Sequence, residues 1–351
     1  MGLRILHSAD WHLDTPFGGC SEAQMRYLKG EQRKIPEKIA RLCRLENCDL
    51  VLLSGDVFDS PRSRESLELV RRALEACEVP VMISPGNHDY LCPGSPWLEV
   101  RWPENVHIFG ERLSSLVLKD LDCRVYGTGY RAMDCPALLE DFCVSGNERY
   151  HIGVIHGDPL RLNSPYCPVT AAQVRSSGLD YLALGHIHKA GSFTAGESLC
   201  GWPGTPMGRG YDETGEKGVY IVDLGEKPEL RFLALDTPRF YDLEADSPRA
   251  LEAVLPPVEN YNFYRVTLTG AWEEPVRELK KQFGYLPNLV ISDRREKPIP
   301  LWERAGEDTL EGTYFRLLQQ RRQDAPAELD ACIRLAAEIS GKILEGKEVV
   351  L

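Results

Sequence analysis

Short apolar runs alternate with amphipathic segments along the first part of the chain. Residues 3–7, 50–54 and 79–84 are apolar runs of strand length, whereas residues 21–46 and 62–77 are polar with periodically spaced apolar positions. A short continuous apolar run is typical of a buried strand, and apolar residues spaced three or four apart indicate one face of a helix. The alternation therefore predicts β-α-β units.

From about residue 106 the pattern changes to closely spaced strands. The predicted strands cover residues 106–109, 113–118, 123–126, 151–155, 181–184, 218–222 and 230–235. Helical units followed by a series of strands favour an α/β fold in which two sheets pack as a sandwich flanked by helices, instead of one doubly wound sheet.

A second change occurs near Thr237-Pro238, where a smaller α+β module begins. Its pattern is strand, helix, strand, helix, strand, and it is followed by helical segments. The predicted helices are 248–255, 274–283, 310–322 and 326–344, and the predicted strands after the first are 263–269 and 289–292. The predicted division is a large domain at 1–237, an α+β capping domain at 238–298 and a C-terminal helical segment at 299–351.

Composition excludes some classes of protein. The 351 residues carry a net charge of -12, which argues against a protein that coats nucleic acid by bulk electrostatics but not against a nucleic-acid enzyme with a local basic surface. The eleven cysteines include no C-x-x-C pair, so reduced thiols in a cytoplasmic protein are expected. No apolar run reaches the ~18 residues of a membrane span.

Five short polar motifs each follow an apolar run, where ligand sites of open α/β folds collect. They are Asp10-Trp11-His12, Gly55-Asp56, Gly86-Asn87-His88-Asp89, His156-Gly157 and Gly185-His186-Ile187-His188. Imidazole, carboxylate and amide oxygen together suit divalent ions such as Mn, Fe, Co or Zn. Each motif alone is weak evidence, whereas five in order after hydrophobic strands predict a metal site. The other histidines, His7, His107 and His151, lie in strand-like runs and are expected to be structural.

The order D-x-H, G-D, G-N-H-[DE], H and G-H-x-H over residues 10–188 resembles the calcineurin-like metallophosphoesterase superfamily. The resemblance implies a metallophosphoesterase sandwich that holds two divalent ions and hydrolyses phosphate esters. It implies one ion held by Asp10, His12, Asp56 and His188. It implies the other held by Asp56, Asn87, His156 and His186, so that Asp56 bridges both.

The same resemblance implies a catalytic role for His88, which is not a ligand. His88 would stabilise the developing charge or protonate the leaving oxygen, while the two ions lower the pKa of a shared water. Asp89 would orient His88 as a carboxylate–imidazole pair. The alternative for Asp89 is a turn cap.

Flanking residues resemble the SbcD-type and YhaO-type DNA repair exonucleases. The similar stretches are residues 8–17, 55–59, 165–168, 181–189, 201–206 and 213–218. This resemblance implies a Mn-dependent exonuclease or endonuclease acting on DNA in repair. It also implies a homodimer and an SbcC-like or YhaN-like coiled-coil ATPase partner that binds the C-terminal helices.

Substrate contacts are predicted near the metal motifs, where DNA phosphates require basic residues. The candidates are Arg131, Arg161, Lys189 and Arg209, with Trp11 as a ring that could stack on a base. The simpler alternatives are ordinary solvated charges and, for Trp11, packing beneath the ligands. Two other functions remain open: a phosphodiesterase acting on a small nucleotide or other small phosphodiester, and a non-enzymatic protein that keeps the fold for a partner.

Overall fold

The computed structural model describes residues 2–59, 63–295, 302–323 and 325–344. The strands are β1 (Leu3–Ser8), β2 (Leu50–Leu53), β3 (Val81–Ile83), β4 (Val106–Ile108), β5 (Ser114–Leu118), β6 (Cys123–Gly127), β7 (Tyr150–His156), β8 (Tyr181–Gly185), β9 (Gly191–Ala195), β10 (Ser198–Trp202), β11 (Gly218–Leu224), β12 (Pro228–Ala234), β13 (Phe240–Ala245), β14 (Phe263–Leu268) and β15 (Leu289–Asp293). The α-helices are α1 (Glu22–Gln32), α2 (Ile35–Leu45), α3 (Arg64–Glu75), α4 (Pro96–Glu99), α5 (Ala171–Ser177), α6 (Pro248–Val254), α7 (Val276–Gln282), α8 (Leu310–Arg322) and α9 (Ala327–Leu344).

Two six-stranded sheets form the body of the molecule. The first has the order β12-β11-β1-β2-β3-β4, with β1 to β4 parallel and β11 antiparallel to β1. The second has the order β5-β6-β7-β8-β10-β9, with β6, β7, β8 and β10 parallel. Because neighbouring parallel strands end at the same edge, residues that follow β1, β2 and β3 are brought together there.

The two sheets pack face to face, which confirms the predicted two-sheet sandwich. Leu50 and Leu52 of β2 belong to the cluster between the sheets, and Val51 and Leu53 belong to the cluster beneath α1, α2 and α3. Successive strand residues point to opposite faces, so an all-apolar β2 is what burial on both faces requires. A third cluster covers the outer face of the second sheet.

Two local predictions needed correction. The single helical segment predicted at 21–46 is two helices, because Pro36 lies in the first turn of α2 and a proline there begins a new helix. Strands β9 and β10 and helix α5 were not predicted. Strands β9 and β10 are five residues each and contain glycine and serine, which weakens a strand pattern.

The chain divides into two compact units. The first consists of Met1–Asp242, Asn260–Arg265 and Leu286–Val290. The second consists of Leu243–Glu259, Val266–Tyr285 and Ile291–Leu351. The predicted β-α-β-α-β order is present as β13, α6, β14, α7 and β15, whose strands form a sheet in that order. The boundary predicted at 298–299 lies outside the described residues, and the division into three domains stays a prediction. None of the described helices is long and apolar enough to cross a membrane.

Candidate metal centre

The five motifs meet at the carboxyl ends of strands from both sheets. Asp10 and His12 follow β1, Asp56 follows β2, His156 ends β7 and His186 follows β8. Backbone hydrogen bonds keep the first two segments in register beyond the strands, from Asp10 N to Gly55 O and from His12 N to Asp56 O, both 3.0 Å. The sandwich therefore places side chains that are far apart in the sequence around one edge.

Several of these residues have backbone conformations that L-residues rarely adopt. The φ angles are 53° at Asp10, 46° at His12, 52° at Asp56 and 89° at His186. Such conformations persist only where the surrounding structure holds them, and they concentrate at functional positions. Gly86 leaves room for Asp56, because a Cβ at residue 86 would collide with Asp56 Oδ1.

Asp10, His12 and His188 form a first group whose donor atoms could hold a cation. Nδ1 of His12 lies 2.9 Å from Asp59 Oδ1, and Nδ1 of His188 lies 2.7 Å from Glu213 Oε1. An ionised carboxylate only accepts hydrogen bonds, so each Nδ1 carries a hydrogen, and the tautomer with hydrogen on Nδ1 has its lone pair on Nε2. The two Nε2 atoms are 3.1 Å apart, a separation at which lone pairs repel unless a cation lies between them. The donor set therefore fits a metal ion.

Asp10, Asp56 and His156 form a second such group, and Asn87 lies beside it. His156 Nδ1 lies 2.8 Å from the carbonyl oxygen of Ser54, which fixes the hydrogen on that nitrogen. His156 Nε2 then faces two acceptors, Asn87 Oδ1 at 2.9 Å and Asp56 Oδ2 at 3.3 Å. Acceptors that converge at this distance also fit a metal ion. Asp10 belongs to both groups, and Asp56 belongs to the second and lies near His12 of the first.

His186 lies beside the second group. Its ring centroid is 5.3 Å from that of His156 and 4.5 Å from that of Tyr166, and its backbone N donates to the Asp10 carboxylate. Burial lowers the pKa of His186 to about 4, and His156 adds to the effect. A neutral imidazole with free lone pairs is the form that binds metal.

Buried carboxylates and histidines shift each other's pKa in this site. Burial alone would lower the pKa of His156, but the Asp56 and Asp10 carboxylates outweigh burial and raise it to about 9. Burial alone would raise the pKa of Asp56, but His156 and His12 hold it well below its usual range. Buried carboxylates that stabilise a proton on His156 will also attract a divalent cation.

His88 lies beside the ligand groups and lines a cavity. Its backbone N donates to Asp56 Oδ1 at 2.9 Å, and its half-exposed ring lines a cavity of 480 Å³ together with Pro16, Tyr90 and Met133. His88 Nδ1 lies 2.8 Å from Asp59 Oδ1, and this hydrogen bond raises the pKa of His88. An imidazole held in this way can donate a proton to an oxygen in the cavity.

The predicted pairing of Asp89 with His88 is wrong, because Asp59 takes that position. The Asp89 carboxylate instead accepts backbone N–H groups of Gly86 and Val57, both at 2.8 Å, and of Phe58 at 3.3 Å. Asp89 is therefore the turn cap that was the alternative. Burial and the nearby Asp56 raise the pKa of Asp89 to about 6.

Trp11 is not placed to stack on a base. Its side chain is 1% exposed, and its Nε1 donates to Ser8 Oγ at 2.8 Å. The alternative of packing beneath the ligands is the arrangement in the structure. Asp59 and Glu213 were not predicted as partners of the histidines. Both lie in the flanking stretches 55–59 and 213–218, but no local pattern marks a carboxylate as the partner of a distant histidine.

The predicted phosphate-binding cations fall into two kinds. Arg131, Arg161 and Lys189 are exposed, and no ion pair with any described residue engages their side chains. Arg209 is only 23% exposed in its side chain, and its Nη2 lies 2.7 Å from Glu213 Oε1. Three of the four cations are therefore free to meet a ligand, whereas Arg209 is bound within the protein.

Comparison with known proteins agrees with this geometry. The calcineurin-like phosphoesterase family matches residues 3–190. The chain is 35% identical over 240 residues to the metallophosphoesterase YhaO of Bacillus subtilis (strain 168), covering 63% of this chain and 57% of that protein. It is 25% identical over 266 residues to the SbcD component of the nuclease SbcCD of the same organism, covering 63% of this chain and 66% of that protein.

Among solved structures, a dimetal phosphatase from Danio rerio superposes with a TM-score of 0.46 and 14% identity, covering 66% of this chain and 96% of that chain. The family match spans more than half of the 351 residues and contains every motif that forms the two groups. The chain therefore belongs to the calcineurin-like phosphoesterase family, whose members use a dinuclear metal centre, and two groups of its side chains could hold metal ions.

Proposed function

We propose that this enzyme is a nuclease that hydrolyses phosphodiester bonds of DNA in repair, with Mn as the expected metal. The observation that carries the proposal is the position of three exposed cations that form no ion pair with the described part of the chain. Lys189 directly follows His188, and Arg161 lies on the loop after His156. Arg131 follows Tyr130, whose ring centroid is 5.4 Å from that of His156. A polyanion that reaches the ligands would pass these charges.

The loops that carry Arg131 and Arg161 are joined to each other. Cys135 N donates to the carbonyl oxygen of Pro165 at 2.8 Å, and Cys167 N donates to that of Cys135 at 2.7 Å. Asp158 Oδ1 accepts the N–H groups of Leu160 at 2.8 Å and of Arg161 at 3.1 Å. Fixed loops lower the entropy that a phosphate contact would cost.

The proposed ligands follow the two groups. One ion would be held by Asp10, His12, Asp56 and His188, and the other by Asp56, Asn87, His156 and His186. When bound, two such ions supply a hydroxide at neutral pH and neutralise charge on the phosphoryl oxygens.

The remaining groups act on the leaving oxygen. His88, oriented by Asp59, would donate its Nε2 proton to the oxygen that departs from phosphorus. Asp59 stays ionised, because burial alone would raise its pKa but hydrogen bonds from His12 and His88 hold it well below its usual range.

An Arg131→Glu/Arg161→Glu double variant should test the substrate. We expect weaker binding and slower Mn-dependent cleavage of end-labelled DNA, with the slope of log K against log salt reduced by about 0.7–0.9 for each phosphate that is no longer neutralised. Hydrolysis of bis-p-nitrophenyl phosphate, which is too small to need these two arginines, should be retained. Arg41→Glu on α2, an exposed arginine without an ion pair among the described residues, makes the charge change of one such replacement and is the control for each single variant.

Two outcomes would contradict the DNA assignment. One is equal cleavage of DNA by the double variant and the wild type. The other is rapid wild-type turnover of a cyclic nucleotide with no DNA binding at low salt. The second outcome would favour the small-phosphodiester alternative, with which the net charge of -12 is also compatible.

We also propose that the C-terminal helices bind a coiled-coil ATPase. Helices α8 and α9 form an apolar groove of 570 Å³ lined by Leu310, Tyr314, Leu317, Ile343 and Leu344. Leu310 is 88% exposed and Ile343 is 61% exposed. An apolar groove between two helices fits the apolar face of a partner helix. The similarity to the SbcD component of the nuclease SbcCD supports this choice of partner.

Leu317→Asp should abolish co-elution with an SbcC-like or YhaN-like ATPase in size-exclusion chromatography, because a charge in the groove cannot be desolvated against an apolar helix. Leu335→Asp provides a matched control, since Leu335 and Leu317 are both 56% exposed but Leu335 does not line the groove. Loss of co-elution in both variants, or in neither, would argue against the groove as the docking surface.

A further inference from the structure

A charged network lies behind the first ligand group. Glu213 is 7% exposed and contacts His188 Nδ1 through Oε1 at 2.7 Å. Arg209 reaches the same oxygen through Nη2 at 2.7 Å, and its backbone N donates to Glu213 Oε2 at 2.9 Å. Arg209 Nη2 also lies 2.8 Å from His188 Nδ1, but both atoms carry hydrogen, so they do not bond to each other and both donate to the Glu213 carboxylate.

Arg209 extends the network to the other histidine of this group. Its Nη1 lies 3.9 Å from Asp59 Oδ2, and Asp59 Oδ1 holds His12 Nδ1. The two imidazoles whose Nε2 atoms face each other at 3.1 Å are therefore supported from behind by two carboxylates, with Arg209 near both. The Lys217 ammonium donates to the carbonyl oxygen of His188 at 3.3 Å and holds its backbone.

The second ligand group is supported differently. His156 Nδ1 is held by the backbone carbonyl of Ser54 at 2.8 Å, whereas the Asp10 carboxylate lies 4.0 Å from that nitrogen, beyond hydrogen-bond distance. A partner that orients a histidine ligand selects its tautomer and increases its basicity, and a carboxylate does so more strongly than a carbonyl. We therefore expect the metal affinity of the first position to depend more strongly on a side chain that is not itself a ligand.

We propose that Glu213 is a positioning residue for His188 and that Arg209 holds Glu213 in place. This pair sets the metal affinity of the position formed by Asp10, His12 and His188. It does not set the affinity of the position that contains His156. The inference rests on the ligand assignment proposed above and is independent of whether DNA is the substrate. It also gives Arg209 a structural reason for its burial that the sequence pattern did not supply.

The test titrates the purified full chain with Mn²⁺ and measures binding by calorimetry. Electron paramagnetic resonance during the same titration distinguishes a coupled ion pair from an isolated ion. The wild type should bind two ions and give the coupled signal. Glu213→Ala should weaken one of the two binding events by about 10–100-fold and give an isolated-ion signal at low Mn²⁺. Glu213→Gln, whose amide oxygen still accepts from Nδ1, should restore much of the affinity.

Controls separate positioning from general loss of structure. Glu216→Ala removes a carboxylate in the same loop, which pairs with Arg239 at 3.2 Å, and should bind both ions as the wild type does. His188→Ala should lose one ion. Two ions bound by Glu213→Ala with wild-type affinity would overturn the positioning role. Two ions bound by His188→Ala with wild-type affinity would overturn the ligand assignment beneath it, and loss of both ions in folded Glu213→Ala would overturn the claimed selectivity.

Discussion

Asp56→Asn is expected to lower phosphodiester hydrolysis at saturating Mn²⁺ by about 10³-fold, because metal ions contribute several kcal/mol of transition-state stabilisation and Asp56 lies against ligands of both groups. Its Oδ2 lies 3.3 Å from His156 Nε2 and 3.8 Å from His12 Nε2. Asn removes the carboxylate charge but tolerates the φ of 52° at this position better than most residues. Initial rates with bis-p-nitrophenyl phosphate and metal content by elemental analysis measure the effect.

A matched control removes a carboxylate elsewhere. Asp223→Asn breaks an exposed pair with Arg4 (2.6 Å), and pairs of this kind contribute at most about 1 kcal/mol to stability. Activity and metal content should equal those of the wild type. Full metal content together with wild-type rates in Asp56→Asn would exclude Asp56 as the shared ligand.

His88→Asn should lower kcat by about 10²–10⁴-fold while both ions remain bound, because a positioned acid contributes that much to proton transfer in the transition state. The backbone N of His88 still donates to Asp56, so the loop keeps its anchor. The loss should be greater for an alkyl leaving group than for p-nitrophenolate, since a better leaving group needs less protonation. Rates with paired substrates, together with Mn²⁺ titration, measure both parts of this prediction.

This variant also distinguishes between two roles for His88. Its donor atoms group with those of His12 and Asp56 as a set that could hold an ion, although its Nδ1 is bound to Asp59. Loss of an ion in His88→Asn would make His88 a ligand instead of an acid. An equal rate loss for both leaving groups would argue for charge stabilisation without proton transfer.

The strands and the motifs could be predicted from the amino-acid sequence. Leu50, Val51, Leu52 and Leu53 are apolar without interruption because both faces of β2 are covered, so the apolar run is sufficient to identify a central strand. Polar residues that follow such runs emerge at the carboxyl ends of strands. This is why the order of motifs was sufficient to predict the ligand candidates, whereas the series of strands after the β-α-β units predicted the two-sheet fold.

The partners of those residues depend instead on how the sheets and loops pack. Asp89 is adjacent to His88 in the sequence but accepts backbone N–H groups, whereas Asp59 binds His88 from 29 positions away along the chain. Glu213 reaches His188 across 25 positions and also engages Arg209, which was predicted to contact phosphate. Hydrophobic periodicity is local and visible in the chain, but a carboxylate–imidazole pair is formed by whichever loops the packed sheets bring within hydrogen-bond distance.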